Sequence, residues 1–138
     1  MISVIVPTLN EEKGIMKTIK RIPKSVNGEN VEIIIVDGLS TDNTADIAKR
    51  GGAKVILEKR KGKGMAMRTG VDNARGNKIV FIDGDASYPA EHIPKMIKLL
   101  NDCDMVVASR HLLKPDAKTS EALIWCKLLP KLFHKYYI

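Results

Sequence analysis

Two short runs of this chain, residues 33–36 and 79–82, are apolar at every position. A strand with one face in water alternates apolar and polar residues, so an unbroken apolar run is typical of a strand covered by helices on both faces. Other runs rich in β-branched or apolar residues lie at 2–6, 54–57 and 105–107, and segments with helical spacing lie between the runs, at 11–21, 42–50, 64–74 and 90–100. This alternation of strand and helix predicts a three-layer α/β/α domain with a mostly parallel sheet.

Length and composition limit the class of protein further. The chain has 138 residues, of which 44% are hydrophobic and 28% charged, as in ordinary globular domains. Two cysteines, Cys103 and Cys126, are too few for a disulfide framework or a zinc cluster. The start of the chain lacks the pattern of a signal peptide, and no apolar run reaches the roughly 18 residues needed to cross a bilayer. We therefore expect a cytoplasmic protein.

The charge of the chain indicates an anionic partner. The net charge is +7, which suits a nucleotide, a phospholipid or a nucleic acid equally well. A module that binds single-stranded nucleic acid interleaves aromatic side chains with its cations, and residues 1–80 contain no aromatic residue. Nucleic acid is therefore not among the expected partners.

Polar clusters follow three of the predicted strands, at residues 7–12, 37–42 and 83–87. In open parallel sheets, ligands bind in the crevice beyond the carboxyl ends of the strands. Helix capping and turn formation also select Asp, Asn, Ser and Glu at such positions, and either explains any one cluster alone. Convergence of three clusters at one sheet edge favours a binding site.

The third cluster contains Asp83 and Asp85 on either side of one glycine. Carboxylate oxygens suit Mg²⁺ or Mn²⁺, and a bound ion of this kind would neutralise a diphosphate leaving group. Acidic residues are common in loops, so the pair has little weight apart from its position after a buried strand.

Taken together, the clusters resemble glycosyltransferase family 2, of the GT-A type, and in particular its dolichyl-phosphate mannose or glucose synthase branch. Four segments carry the resemblance, in the family's order and at about its spacing: residues 4–12, 35–44, 82–89 and 104–111. The resemblance implies the nucleotide-diphospho-sugar transferase fold. It covers residues 1–111, which we take as the nucleotide-sugar-binding domain. Residues 112–138 are then a basic, apolar C-terminal segment and the start of a truncated or shortened acceptor region.

The resemblance also assigns the nucleotide pocket. Pro7, Asn10 and Glu11 shape it, and Asp37 contacts the base. Many family members have a second Asp after the one at position 37, whereas this chain has Gly38. The identity of the base stays open for this reason.

Catalytic and metal-binding roles follow from the third and fourth segments of the resemblance. Asp83 and Asp85 form the metal site, with Asp85 as the direct ligand and Asp83 contacting ribose, sugar or metal-bound water. Arg110 lies near the transferred sugar or the acceptor phosphate, and Asp85 and Arg110 are the two catalytic candidates.

A basic stretch at residues 59–64 has two interpretations. It resembles the family's Lys-Gly-x-Gly segment, and Lys63 and Arg68 are then the residues that reach the diphosphate. Alternatively, it is a solvated basic loop whose glycines allow the chain to turn.

The implied function is transfer of a hexose from GDP-mannose or UDP-glucose to an acceptor. A polyprenyl (dolichyl) phosphate is an anionic nucleophile near neutral pH and needs no general base, and few carboxylates after residue 111 are placed to act as one. The alternative is a domain that binds a sugar nucleotide without turnover because the acceptor half is missing.

The basic, apolar end of the chain, residues 122–138, suits a membrane interface as well as packing against protein. Peripheral attachment to the cytoplasmic membrane face is therefore expected from this tail and from the resemblance.

A phosphatase of the haloacid dehalogenase type also places Asp-x-Asp after a strand. That scheme uses the first strand of the sheet, whereas Asp83 follows the fourth run here, which argues against it.

Overall fold

The computed structural model describes residues 1–109, 123–126 and 136–137. Its strands are β1 (Ile2–Thr8), β2 (Ser25–Val26), β3 (Glu29–Asp37), β4 (Lys54–Leu57), β5 (Lys78–Phe81), β6 (Val106–Ser109), β7 (Leu123–Cys126) and β8 (Tyr136–Tyr137). The helices are α1 (Ile15–Arg21), α2 (Thr44–Arg50), α3 (Lys63–Asp72) and α4 (Ile93–Leu99), and a 3₁₀ turn at Ala90–His92 precedes α4.

The main sheet places β1 at its centre. Its parallel strands run in the order β4-β3-β1-β5-β8, and β2 adds a short antiparallel pairing to the start of β3. The chain proceeds outward from β1 to β3 and β4 and then returns to β5 on the other side of β1. This reversal makes the carboxyl ends of β1 and β5 the topological switch point, where such sheets bind ligands.

Helices cover both faces of the sheet. Val4, Val6 and Ile35 point to one face and join a core with residues of α1, α2 and α4. Ile5, Ile34 and Val36 point to the opposite face, where they contact Ala66 and Val71 of α3. Side chains of consecutive strand residues alternate between faces, so apolar residues on both faces require the unbroken apolar runs that the sequence shows. The predicted three-layer α/β fold is confirmed.

Helix α1 begins at Ile15, and the predicted start at residue 11 is wrong. The backbone N–H groups of Asn10, Glu11 and Glu12 donate to side chains of the loop after β3 and of the first residue of α2, at distances of 2.8 to 3.1 Å. These residues form a turn that is bonded to the neighbouring loop, and the helix starts only after Gly14.

The short hairpin between β2 and β3 was not predicted. It turns at Asn27 and Gly28, which both have positive φ, as the Asn-Gly dipeptide favours in two-residue hairpin loops. A second difference concerns β6, which pairs antiparallel with β7 in a separate two-stranded sheet. The predicted segment 112–138 thus contributes β7 to that sheet and β8 to the main sheet.

None of the helices in the described part of the chain is long and apolar enough to cross a membrane.

Candidate functional site

A cleft of about 660 Å³ lies at the carboxyl ends of β1, β3 and β5. All three predicted clusters contribute to it, together with the basic loop before α3. The lining residues include Pro7, Glu11, Lys63, Asp83 and Asp85. The structure therefore brings five of the predicted site residues to one cleft, at the switch point of the sheet.

The first two loops are bonded to each other. Asn10 donates its backbone N–H to the Ser40 hydroxyl at 2.8 Å, and its side-chain oxygen accepts from the backbone N–H of Thr41 at 2.9 Å. Asn10 has a φ of 58°, a conformation that Asn tolerates better than most residues. Asn10 thus joins the loops after β1 and β3, and its predicted role in shaping the nucleotide pocket stays a prediction.

Asp37 lies beneath these loops and is 1% exposed. Its carboxylate accepts hydrogen bonds from the Thr8 hydroxyl at 3.2 Å and from the backbone N–H and hydroxyl of Ser40 at 2.9 and 2.5 Å. These hydrogen bonds connect the buried carboxylate to the end of β1 and to the loop after β3, and they hold that loop in place. The predicted contact between Asp37 and the base stays a prediction.

The turn of residues 83–85 packs closely against the start of α1 and the end of β1, and glycines lie at both contacts. A side-chain carbon at Gly14 would come within 2.7 Å of the Asp85 backbone, and one at Gly84 would come within 2.9 Å of the Thr8 methyl group. The hydroxyl of Thr18 in α1 donates to the Gly84 carbonyl oxygen at 3.0 Å. Asp83 and Asp85 are thereby presented from a turn that is fixed on both sides.

Backbone strain is concentrated at this sheet edge. Asn10, Leu39 and Ala86 have φ between 58° and 65°, and one of them lies in each of the loops after β1, β3 and β5. Non-glycine residues rarely adopt this conformation, and such residues cluster at binding and catalytic sites.

The cleft carries a local concentration of negative charge. Burial, followed by the charges of Asp85, Asp83 and Asp42, raises the pKa of Glu11 above its usual value. Asp85 and Asp83 therefore lie close enough to Glu11 to disfavour its ionisation, a situation that a bound cation relieves.

Lys63 supplies a cation at this point in the described structure. Its Nζ lies 2.5 Å from the Asp83 carboxylate, and both side chains are partly exposed. Within the described residues, no group of three or more His, Cys, Asp or Glu side chains has a metal-binding arrangement. Two carboxylates alone nevertheless fit a Mg²⁺ or Mn²⁺ ion that takes its other ligands from substrate phosphates and water.

The basic loop before α3 also lines the cleft. Lys59, Arg60, Lys61 and Gly62 line the cleft before α3 begins at Lys63. The first-turn N–H groups of a helix attract anions, and this end of α3 faces the cleft. Arg68 is exposed on α3 and is not among the residues that line the cleft.

A smaller, mostly apolar cavity of about 310 Å³ adjoins this site and shares Pro7, Lys63 and Asp83 with it. Arg110 lies outside the described residues, and its predicted role stays a prediction.

Several contributors to the site were missed from the sequence. Gly14 and Thr18 support the acidic turn across a separation of about 70 residues, and no local pattern marks them. Ser40 belongs to the predicted cluster at residues 37–42, but the sequence does not indicate that it bonds both Asn10 and Asp37. Glu58 is a carboxylate directly after β4 and lies outside the three predicted clusters.

Comparison with known proteins adds independent findings. The family model described as "Glycosyl transferase family 2" matches residues 3–132. A low-salt glycan biosynthesis hexosyltransferase of Haloferax volcanii is 36% identical over 113 residues, which cover 79% of this chain and 27% of that protein. A dolichol-phosphate mannosyltransferase of Pyrococcus furiosus is 35% identical over 117 residues, covering 80% and 33%. A dolichyl-phosphate hexose transferase of Haloferax volcanii is 34% identical, covering 82% and 49%. The chain spans less than half of the length of each of these relatives.

Solved structures agree with this grouping. Glucosyl-3-phosphoglycerate synthase from Mycobacterium tuberculosis, crystallised with Mn²⁺, UDP-glucose and phosphoglyceric acid, superposes with a TM-score of 0.64 at 34% identity. The match covers 72% of this chain and 39% of that one. The matching family model, the similar sequences and this similar structure lead to one conclusion: the chain belongs to glycosyl transferase family 2.

Proposed function

We propose that this chain forms the donor site of a hexosyltransferase, which holds a nucleoside diphosphate hexose with the help of Mg²⁺ or Mn²⁺. One observation carries the proposal: Asp83, Asp85 and Glu11 line the same cleft as the basic residues 59–63, at the switch point of the sheet. A sugar nucleotide joins a base, a diphosphate and a sugar, and it needs cations and N–H groups for the diphosphate beside acidic groups for a metal or hydroxyls.

Each residue has a part in the proposed site. Asp85 and Asp83 hold the ion, with Asp85 as the direct ligand, and Lys63 moves from Asp83 to the diphosphate when the donor binds. Pro7, Asn10, Glu11 and Asp37 form and support the nucleotide side of the cleft. The ion, when bound, stabilises the charge that develops on the departing diphosphate.

In the proposed reaction the bond between the sugar's anomeric carbon and the diphosphate oxygen breaks, and a new bond forms from that carbon to the acceptor oxygen. The nucleoside diphosphate leaves with the electron pair. Lys63 and the N–H groups at the start of α3 stabilise its charge, and Arg110 positions the acceptor.

For the acceptor we propose a polyprenyl phosphate, used at the cytoplasmic face of a membrane. Two of the relatives are named as dolichol-phosphate or dolichyl-phosphate transferases, and the basic, apolar composition of residues 122–138 suits a membrane interface. The solved neighbour contains phosphoglyceric acid, so a small phosphorylated acid is the second candidate acceptor. Both acceptors are anionic, which suits the cations that line the cleft.

Calorimetric titration tests the donor site. GDP-mannose, UDP-glucose, GDP and UDP are titrated into the chain with Mn²⁺ or Mg²⁺ and then with EDTA. We expect either the guanine or the uracil nucleotides to bind only in the presence of the metal ion. Asp85→Ala should abolish this metal-dependent binding while the chain stays folded. Absence of binding by every nucleotide would contradict the proposed donor site.

Turnover is measured in parallel with polyprenyl phosphate in detergent and with 3-phosphoglycerate. Binding of the donor without transfer to either acceptor would favour the alternative, a donor-binding domain that lacks its acceptor half.

A further inference from the structure

Glu58 is a buried carboxylate that the proposed reaction does not use. It is 6% exposed and comes directly after β4, beside the cleft. Its backbone N–H donates to the Asp37 carbonyl oxygen at 2.8 Å, which extends the pairing of β4 with β3 by one residue.

The Glu58 carboxylate binds two other parts of the chain. Arg60 donates to it through its backbone N–H at 2.8 Å and through two guanidinium nitrogens at 2.9 and 2.7 Å. The hydroxyl of Thr69 in α3 also donates to it, and Arg60 donates to the Thr69 oxygen at 2.8 Å. A two-point contact of this kind fixes orientation as well as distance. Hydrogen bonds from Arg60 and Thr69 lower the pKa of Glu58 far below its usual range, so the carboxylate is charged at neutral pH.

These contacts determine the shape of the basic loop. Residues 59–62 lie between β4 and α3 and include Gly62, with a φ of 106°. The loop carries Lys59 and Lys61 to the cleft and leads into Lys63. Because Arg60 is bound to Glu58, its charge is neutralised within the protein, and the lysines are the cations left to face a ligand.

We propose that Glu58 is a positioning residue, which holds the loop of residues 59–63 in the conformation that receives the diphosphate of the donor. This inference rests on the proposed function and deepens it. Glu58 acts through Arg60 and Thr69 and does not itself touch the ligand. A loop that is already ordered loses less conformational entropy when it binds phosphate, and it therefore binds more tightly.

The proposal makes a specific prediction about phosphate number. A nucleoside diphosphate engages the loop more fully than the nucleoside monophosphate with the same base, which lacks the second phosphate. Loosening the loop should therefore weaken diphosphate binding more than monophosphate binding. A general loss of stability would weaken both by the same factor.

The test compares UDP with UMP, and GDP with GMP, by calorimetry on the 138-residue chain in the presence of Mn²⁺. Glu58→Gln keeps the size of the side chain but turns one acceptor into a donor, so that it no longer accepts both guanidinium nitrogens. We expect the ratio of diphosphate to monophosphate affinity to fall roughly three- to tenfold, the size that follows from ordering one or two side chains.

Glu32→Gln is the matched control. The Glu32 carboxylate makes a similar set of hydrogen bonds: it accepts from the backbone N–H and Nε of Arg75 and from the hydroxyl of Ser3. Glu32 lies opposite Ser3, near the amino end of β1 and away from the cleft. This substitution should lower the melting temperature and leave the affinity ratio unchanged.

Thr69→Val is a second, milder variant that removes one hydroxyl from the Glu58 contacts. It should lower the ratio by a smaller factor than Glu58→Gln, and it keeps the test open if Glu58→Gln fails to fold. An unchanged ratio in Thr69→Val and Glu58→Gln, with nucleotide binding intact in the wild type, would overturn the positioning role alone. A wild-type chain that binds none of the four nucleotides would overturn the proposed function and the positioning role with it.

Discussion

Gly14 lies directly against the backbone of Asp85, although the two residues are 71 positions apart in the sequence. A side-chain carbon at Gly14 would come within 2.7 Å of both the Cα and the carbonyl carbon of Asp85, and within 2.8 Å of the Gly84 carbonyl oxygen. The neighbours in this contact are backbone atoms, which do not rotate away as a flexible side chain would. The absence of a side chain at position 14 therefore allows the acidic turn to dock on α1.

The first prediction concerns this contact. Gly14→Ala should displace the turn and lower the free energy of unfolding by about 1–3 kcal/mol, as overpacking does elsewhere. Metal-dependent nucleotide binding should be lost at the same time. Gly64→Ala is the control, because nothing lies within 4 Å of a side-chain carbon there, and Ala in a helix is favoured over Gly by roughly 0.5–1 kcal/mol. Denaturant unfolding of both variants checks the prediction, and equal stabilities would contradict it.

The sequence was sufficient for those parts of the structure that depend on local pattern. The apolar runs at 33–36 and 79–82 predicted strands covered on both faces, and the polar residues after them predicted the edge where the cleft lies. The start of α1 was misplaced because the N–H groups of residues 10–12 bond to the loop after β3 and to the first residue of α2. The supports at Gly14 and Glu58 were missed because they depend on contacts between distant segments, which no local pattern reports.

The second prediction concerns the pH dependence of stability. Glu11 has a raised pKa in the folded chain, mainly through burial and then through Asp85, Asp83 and Asp42. Its contribution to stability is therefore fully present below its unfolded pKa of about 4.5, and it is lost as the pH rises through the folded pKa. Glu11→Gln removes this loss, so the melting temperature of the variant relative to the wild type should increase from pH 4.5 toward pH 7.

The measurement is thermal unfolding of both proteins at a series of pH values without divalent ions. Mn²⁺ together with a nucleoside diphosphate should reduce the difference in melting temperature between Glu11→Gln and the wild type. A cation at Asp83 and Asp85 offsets the negative charge that disfavours ionised Glu11. A difference in melting temperature that is constant across this pH range would contradict the prediction.

The third prediction concerns Lys63, whose ammonium group lies 2.5 Å from Asp83. If a divalent ion and Lys63 compete for this carboxylate, Lys63→Met should tighten the binding of Mn²⁺ alone, by less than about fivefold because the pair is exposed. The same substitution should weaken binding of a nucleoside diphosphate in the presence of Mn²⁺, since the phosphates lose a cation. Loss of any one positive charge from the cleft would give the same two signs, so the size of the change in Mn²⁺ affinity must be compared with that of a variant that loses a different lysine.

Lys61→Met is the control for the third prediction, because Lys61 belongs to the same loop and lines the same cleft. It removes the same charge without removing the contact with Asp83. Titration of Mn²⁺ followed by electron paramagnetic resonance measures the first effect, and calorimetry measures the second. A Mn²⁺ affinity that rises equally in both variants would show that the pair with Asp83 has no specific role.

The fourth prediction separates two roles for Asp37, contact with the base and support of the loop. The side chain is 1% exposed and accepts hydrogen bonds from Thr8 and Ser40. Asp37→Asn places an NH₂ group among these donors, and we expect it to lower the free energy of unfolding by about 1–3 kcal/mol.

Nucleotide affinities separate the two roles. If the carboxylate only supports the loop and does not contact the base, affinities for GDP and UDP should fall by the same factor, because the loop becomes less ordered while the groups that contact the base stay the same. If it contacts the base, the ratio of the two affinities should change. The buried position of Asp37 leads us to expect an unchanged ratio. Titrating both nucleotides into the wild type and into Asp37→Asn decides between the two roles.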